Sequence, residues 1–133
     1  MLLEKLILVE LGPMNDVHEK EIVILEDLYA EILKRDITET NRLFEVFYLD
    51  VKQHFSWEEE DMKQYHFPAI MKHKMAHMNT LMKLTQVKKQ WESENNFELL
   101  QDYFENEFRP WLIKHLNSMD TVTAKFLKKA GCE

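Results

Sequence analysis

The apolar residues of this chain recur at steps of three and four positions over four long stretches, the spacing that places side chains on one face of an α-helix. The first two stripes define predicted helices A and B and comprise Ile22, Leu25, Tyr29 and Ile32, then Phe47, Val51, His54, Glu58 and Met62. Helix A is taken to begin at His18 and to end before residues 38–41, which offer capping side chains. Helix B is expected to stop before Pro68.

Two further stripes define predicted helices C and D. They comprise Ile70, His73, His77, Leu81, Leu84 and Val87, then Phe97, Leu100, Phe104, Phe108, Trp111, His115, Met119, Val122 and Phe126. The polar residues 92–96 would separate these helices, and Gly131 would end the last one. Pro110 is expected to kink helix D or to break it near Arg109. Short connections favour an all-α fold, an antiparallel up-down four-helix bundle.

Length and composition agree with this fold. The 133 residues suffice for one domain, here 1–133, with an N-terminal arm over 1–15 and the bundle over about 16–128. Two glycines and three prolines leave little material for hairpins. The single cysteine, Cys132, fits a reducing compartment, and residues 1–11 resemble neither a signal peptide nor a membrane span, so a cytoplasmic location is expected.

The net charge of −7 argues against nucleic acid and anionic membranes as partners, because no basic stripe is expected that could bind phosphate groups.

Five of the six histidines and Glu58 fall on the apolar stripes rather than on the polar faces. Burying an unpaired polar group costs on the order of 2 kcal/mol or more, and a lone carboxylate costs far more. A metal centre would compensate these groups. His54 with Glu58, and His73 with His77, are four residues apart and leave one side of a helix together. His115 and Asp120, five apart, form a looser pair, and His18 adds one donor from helix A.

Each of these elements also has a simpler interpretation. A lone inward histidine such as His18 is commonly a hydrogen-bonded core residue, a histidine pair four residues apart arises by chance in helical proteins, and Glu58 belongs to an acidic run, residues 58–61, that could be a solvated turn. The joint pattern favours metal, and five imidazoles with two carboxylates exceed what one ion needs. His66 lies off the stripes and is predicted not to bind metal.

The order of these residues resembles the haemerythrin family, whose pattern is an isolated histidine followed by HxxxE, HxxxH and HxxxxD. The central block is HFSWEEE at residues 54–60 with Met62, Tyr65, Pro68, His73 and His77, and the last motif is WLIKH at residues 111–115 with Asp120. The resemblance spans roughly residues 16–126. Two features depart from the family pattern: His18 follows Asn15, Asp16 and Val17 instead of an acidic motif, and the early tryptophan of bacterial members is missing.

The resemblance implies an oxo- or hydroxo-bridged centre of two iron ions that binds dioxygen reversibly. Glu58 and Asp120 would bridge the ions, His73, His77 and His115 would complete one of them, and His18 and His54 would hold the other and leave one position open. An oxygen carrier, not an enzyme, is the function expected. A di-iron sensor, a peroxidase and a nitric-oxide-handling enzyme are the alternatives, and a redox or oxidase partner stays unidentified.

Two observations favour binding over catalysis. A histidine-rich site should stabilise high-valent iron less well than a carboxylate-rich one. Ferritin-like oxidases carry a glutamate three residues before a ligand histidine, and none of the six histidines here has one. The oxygen pocket is expected to have an apolar wall that slows proton delivery. Its predicted members are Ile22, Phe55, Trp57, Trp111 and Leu112.

Overall fold

The computed structural model describes residues 12–132, and the side chains from residue 15 onward. Within this range the chain is almost entirely helical and contains no strand, which confirms the all-α class. The first three helices are α1 (Gly12–Lys34), α2 (Ile37–Gln64) and α3 (Ile70–Glu94). Most of the predicted arm lies outside the described residues, but residues 12–15 belong to α1, so that helix begins before His18.

The fourth helical run contains three α-helical segments separated by two π-helical ones. These are α4 (Phe97–Asp102), π1 (Tyr103–Phe108), α5 (Arg109–His115), π2 (Leu116–Asp120) and α6 (Thr121–Lys129). Pro110 is the second residue of α5, and the two residues before it, Phe108 and Arg109, keep right-handed helical dihedrals. The run therefore continues through the proline, because a π-helical turn accommodates the missing donor.

The connections between helices are short, and polar side chains cap the helices that follow two of them. Asp36 caps α2 by accepting a hydrogen bond from the Glu39 amide, and Asn96 caps α4 in the same way. The α1–α2 junction is thus Arg35 and Asp36, whereas the predicted caps at residues 38–41 lie inside α2. Asn95 ends α3 in the left-handed conformation, which asparagine adopts more readily than most residues.

The interior has an apolar end and a polar end. Aromatic rings fill the apolar end, where Phe47 lies 5.8 Å from Phe104 and 5.3 Å from Phe108 between ring centroids. The Trp91 indole there donates a hydrogen bond to Asn41, and Tyr48 bonds to Thr85. No helix among the described residues is long and apolar enough to span a membrane.

Candidate metal centre

The polar end contains all seven side chains predicted as metal ligands, and every one is buried. They come from α1, α2, α3 and the fourth helical run: His18, His54, Glu58, His73, His77, His115 and Asp120. Ligand atoms of Glu58, His73, His77, His115 and Asp120 all lie within 4.8 Å of one another, and so do those of His18, His54 and Glu58. The cluster therefore has two overlapping parts.

Glu58 connects the two parts, because its two carboxylate oxygens face different histidines. Oε2 lies 2.6 Å from His54 Nε2 and 3.7 Å from His18 Nε2. Oε1 lies 3.0 Å from His73 Nε2 and 3.5 Å from His77 Nε2. One carboxylate thus contacts a pair of histidines on one side and α3 on the other.

Asp120 repeats this arrangement from the fourth helical run. Its Oδ2 lies 3.3 Å from His18 Nε2, while Oδ1 lies 3.0 Å from His73 Nε2 and 3.1 Å from His115 Nε2. The two carboxylates therefore both join a group of two histidines to a group of three. This is the geometry expected of carboxylates that bridge two cations.

The π-helical segment π2 explains how His115 and Asp120 reach the same site. In an α-helix, residues five apart point about 140° away from each other. The i→i+5 pattern of a π-helix instead brings them onto one side, and π2 occupies the interval between these two residues. The HxxxxD spacing depends on this local widening of the helix.

The outward nitrogens of three histidines are fixed by hydrogen bonds. His54 Nδ1 lies 2.5 Å from Glu21 Oε2, His73 Nδ1 lies 2.7 Å from Thr123 Oγ1, and His77 Nδ1 lies 3.0 Å from Glu59 Oε2. A neutral imidazole that donates from Nδ1 presents an unprotonated Nε2. Such outer partners orient the ring and raise its basicity as a ligand.

The two carboxylates shape the proton affinities of the metal-free cluster. Burial lowers the pKa of His18, but Asp120 and Glu58 outweigh this effect and raise it to about 9. The same opposition of burial and these carboxylates raises the pKa of His73 to about 9. His54 has a pKa well above its ordinary value because Glu21 and Glu58 outweigh its burial.

The carboxylates shift in the opposite direction. Burial raises the pKa of Glu58, but His54, His18 and His73 together hold it well below its usual range. Burial and the charge of Glu58 raise the pKa of Asp120, yet the close approach of His115, His18 and His73 lowers it overall. Both carboxylates are therefore ionised at neutral pH, as ligands must be.

Several inward atoms nonetheless have no hydrogen-bond partner. They are His18 Nε2, His77 Nε2, Glu58 Oε1 and Asp120 Oδ1, which lie within 4 Å of opposite partners without hydrogen-bond geometry. Leaving a buried polar atom unsatisfied costs about 1–3 kcal/mol. Cations between the two histidine groups would satisfy all four atoms. The residues present therefore fit a metal centre.

Aromatic and aliphatic side chains border the cluster. Phe55 stacks on the His77 ring, with centroids 3.9 Å apart and planes 2° from parallel, and Trp111 stacks on His115 at 4.6 Å and 16°. Ile22 and Leu112 are also buried. Trp57, however, is 50% exposed on α2, so its predicted place in the pocket wall is wrong. Trp57 follows His54 by three residues, so its side chain points about 60° around the helix from that of His54, on the side opposite Glu58.

Comparison with known proteins decides the family. No protein-family model matches the chain. The chain is 34% identical over 114 residues to the bacteriohemerythrin of Aquifex aeolicus (strain VF5), and the alignment covers 86% of this chain and 87% of that protein. The chain belongs to the haemerythrin family. This confirms the resemblance of the sequence motifs.

In this haemerythrin-family chain, the outer partners Glu21, Glu59 and Thr123 were missed by the sequence patterns. Glu21 carried a usable signal, since it follows His18 by three residues and adjoins the apolar stripe of α1. Glu59 was hidden in the acidic run, and Thr123 was hidden by the change of register at π2. His66 lies on the surface in the α2–α3 connection, and that it does not bind metal stays a prediction.

Proposed function

We propose that this chain is a non-haem di-iron protein that binds dioxygen reversibly, built as an antiparallel up-down four-helix bundle. The observation that carries the proposal is that Glu58 and Asp120 each direct one oxygen toward His18 and its group and the other toward His73 and its group. The contacts of Asn41 with Trp91, Tyr48 with Thr85 and Glu59 with His77 run in opposite order along α2 and α3, which supports the antiparallel arrangement.

The division of histidines supports two inequivalent ions. His73, His77 and His115 would hold one ion, His18 and His54 the other, and Glu58 and Asp120 would bridge them. Imidazole and carboxylate donors suit iron, and membership of the haemerythrin family favours it over other metals that accept these ligands. The ion with two histidines has one protein donor fewer, so it is the place where dioxygen would bind.

Two ferrous ions would supply the two electrons that reversible binding of dioxygen requires. The protein's part is to hold the ligands and to exclude water. Phe55 and Trp111 cover the His77 and His115 rings, and the buried Ile22 and Leu112 lie one helical turn from His18 and His115. This apolar surround should slow proton delivery from solvent, which favours release of dioxygen over its further reduction. We therefore propose a carrier or store rather than an enzyme, and the cytoplasmic location stays a prediction.

The test is reconstitution with ferrous iron without air, followed by metal analysis and absorption spectra in air and again under argon. We expect two irons per chain, a colour that appears in air, and a return to the colourless spectrum when dioxygen is removed. His77→Ala should lose tightly bound iron and the coloured form. His66→Ala is the matched control and should keep both, because His66 lies at the surface.

Other outcomes would contradict the proposal in distinct ways. Irreversible bleaching in air, with rapid turnover when a reductant is added, would indicate a peroxidase or a nitric-oxide-handling enzyme. One metal ion per chain would contradict the bridging roles of Glu58 and Asp120. Unchanged iron content in His77→Ala would remove α3 from the site.

A further inference from the structure

The outer face of α3 carries a line of four exposed methionines. Met71, Met75, Met78 and Met82 are 67%, 55%, 55% and 57% exposed. Their steps of four, three and four residues match the a/d seam of a coiled coil, and the line is about 16 Å long. It points away from the side of α3 that bears the buried His73 and His77, so the core and the metal cluster do not account for it.

Basic side chains accompany this line. Residues 62–91 contain six lysines and no aspartate or glutamate, although the whole chain has a net charge of −7. Lys72 and Lys74 occupy the positions that flank a coiled-coil seam, and Lys89 lies one heptad beyond Met82. Among the described residues, no carboxylate lies within 4 Å of Lys72, Lys74 or Lys89, whereas Lys88 pairs with Glu45 and Glu92. These three lysines give the outer face of α3 a local positive charge that the net charge of the chain does not reveal.

This surface, which we call the methionine face, consists of Met71, Met75, Met78, Met82, Lys72, Lys74 and Lys89. Two copies pairing through it would bring lysines together, which is unfavourable. An anionic membrane is a large surface, so it would also approach the acidic residues elsewhere on the chain and be repelled by them. A single helix, by contrast, contacts only this face, and flexible thioether side chains are common on surfaces that bind helices.

We propose that the methionine face docks an amphipathic helix of a partner protein. That helix would present apolar residues at a/d spacing and aspartate or glutamate along both edges. The apolar positions would pack between the methionines, and the acidic side chains would pair with Lys72 and Lys74 on the two flanks and with Lys89 at the end of the methionine line. The surface lies on the opposite side of α3 from the metal cluster, so this docking is independent of which metal the cluster binds.

The test uses the full iron-loaded chain and two fluorescein-labelled helical peptides of 21 residues. Both have leucine at the a and d positions; the acidic probe has glutamate at e and g, and the basic probe has lysine there. Like charges at e and g keep each peptide from pairing with itself. We expect fluorescence anisotropy to show at least about tenfold tighter binding of the acidic probe, with the difference shrinking as salt is added.

Variants separate the apolar contribution from the charged one. Met75→Gln/Met78→Gln should weaken binding of the acidic probe about tenfold, while Met75→Leu/Met78→Leu, which keeps an apolar side chain, should stay within about threefold. Lys72→Glu/Lys74→Glu/Lys89→Glu should weaken it about tenfold or more. The matched control is Lys125→Glu/Lys128→Glu/Lys129→Glu on α6, which makes the same change of charge elsewhere and should stay within about threefold. Circular dichroism verifies that each variant folds.

Equal binding of the two peptides, or equal effects of the two triple charge reversals, would overturn the proposal. So would loss of binding in the leucine variant, since that would indicate a sulfur-dependent ligand instead of apolar packing. Cosedimentation with phosphatidylserine vesicles but not phosphatidylcholine vesicles, without acidic-peptide binding, would assign the face to a membrane. A dimer in analytical ultracentrifugation that dissociates in the Lys72→Glu/Lys74→Glu/Lys89→Glu variant would assign it to self-association.

Discussion

The buried histidines of this cluster use their two ring nitrogens for different tasks. Nε2 points toward the shared carboxylates, and in His54, His73 and His77 the Nδ1 atom bonds to Glu21, Thr123 or Glu59. Glu21 differs from the other two partners because it is a buried carboxylate bonded to a buried ring. Its negative charge should strengthen His54 as a ligand, since an acceptor that carries charge pulls harder on the Nδ1 proton.

Replacing Glu21 by glutamine tests this role at the scale of one residue. The amide oxygen can still accept a hydrogen bond from His54 Nδ1, but the negative charge is gone, so we expect metal affinity to fall about 10–100-fold. The effect should concentrate on one of the two irons, the one assigned to His18 and His54. Competition with a chelator, followed by metal analysis, measures both the affinity and the split between the two ions.

The matched control is Glu19→Gln, the same change at an exposed position of α1 two residues away. It should leave both irons in place. Equal affinities in the two variants would mean that Glu21 only fills space beside His54. Equal loss of both irons in Glu21→Gln would instead indicate that the two ions bind cooperatively.

At the scale of the helix, the fourth helical run shows where the sequence patterns succeeded and where they failed. The stripes of α2 and α3 were predicted well, because those helices keep 3.6 residues per turn throughout and contain no internal proline. After His115 the predicted inward positions were Met119, Val122 and Phe126, but the buried ones are Leu116, Asp120, Thr123, Ala124 and Leu127. The extra residue in π2 shifts the inward face by one position, which no fixed period can anticipate.

The candidate site was less affected by this shift than the core was. His54, Glu58, His73 and His77 lie on regular helices, where a spacing of four reliably means one face. Asp120 was singled out as a looser partner of His115 despite its spacing of five, and the π-helical turn is the physical reason that this spacing works. Long-range partners such as Thr123 depend on how helices meet, which single-chain periodicity does not encode.

Deleting Ser118 tests whether π2 is one extra residue in an otherwise regular helix. Removal of this exposed residue would leave Asp120 four positions after His115, only about 40° away around an α-helix. The side chains of α6 that are buried now would then still face the interior. We expect the deletion variant to fold and to retain both irons, with a change in melting temperature of no more than about 10 °C.

Insertion of one alanine after Ser118 is the control. It would rotate Asp120 and the inward face of α6 by about 100°, so Thr123 and Leu127 would leave the interior. Iron content should then fall and the helical signal should melt earlier. If deletion and insertion are equally damaging, the π-helical turn contributes a geometry that an α-helix cannot replace.

At the scale of the whole molecule, burial of the apolar end of the bundle offsets the free-energy cost of burying the polar end without metal. Clustered aromatic side chains such as Phe47, Phe104 and Phe108 each contribute roughly 1.5–3 kcal/mol by burial. The cluster at the other end combines two ionised carboxylates with histidines whose pKa values are raised. Protons on those histidines therefore act as the counter-charge that cations would otherwise supply.

The metal-free protein should consequently lose stability as the pH rises. His18 and His73 have pKa values of about 9 in the fold, against 6.5 for the ordinary side chain. The folded chain then binds protons more tightly than the unfolded one, so their contribution is complete below pH 6.5 and disappears as the pH rises through 9. Glu58 and Asp120, with lowered pKa values, lose their contribution as the pH falls below about 4. Stability should therefore peak between these windows.

Melting of the chelator-treated protein between pH 4 and 10 measures this profile, and a decrease on the order of 10 °C from pH 6.5 to 9.5 is expected. Metal removes the cause of the decrease, because cations displace the protons from the inward nitrogens. The metal-loaded chain should thus melt at nearly the same temperature at pH 7 and 9, and metal uptake at pH 7 should release protons into the buffer. Glu58→Gln/Asp120→Asn, which removes the carboxylates that raise the histidine pKa values, should flatten the profile without metal. An unchanged slope in that variant would mean that groups outside the cluster control the alkaline loss.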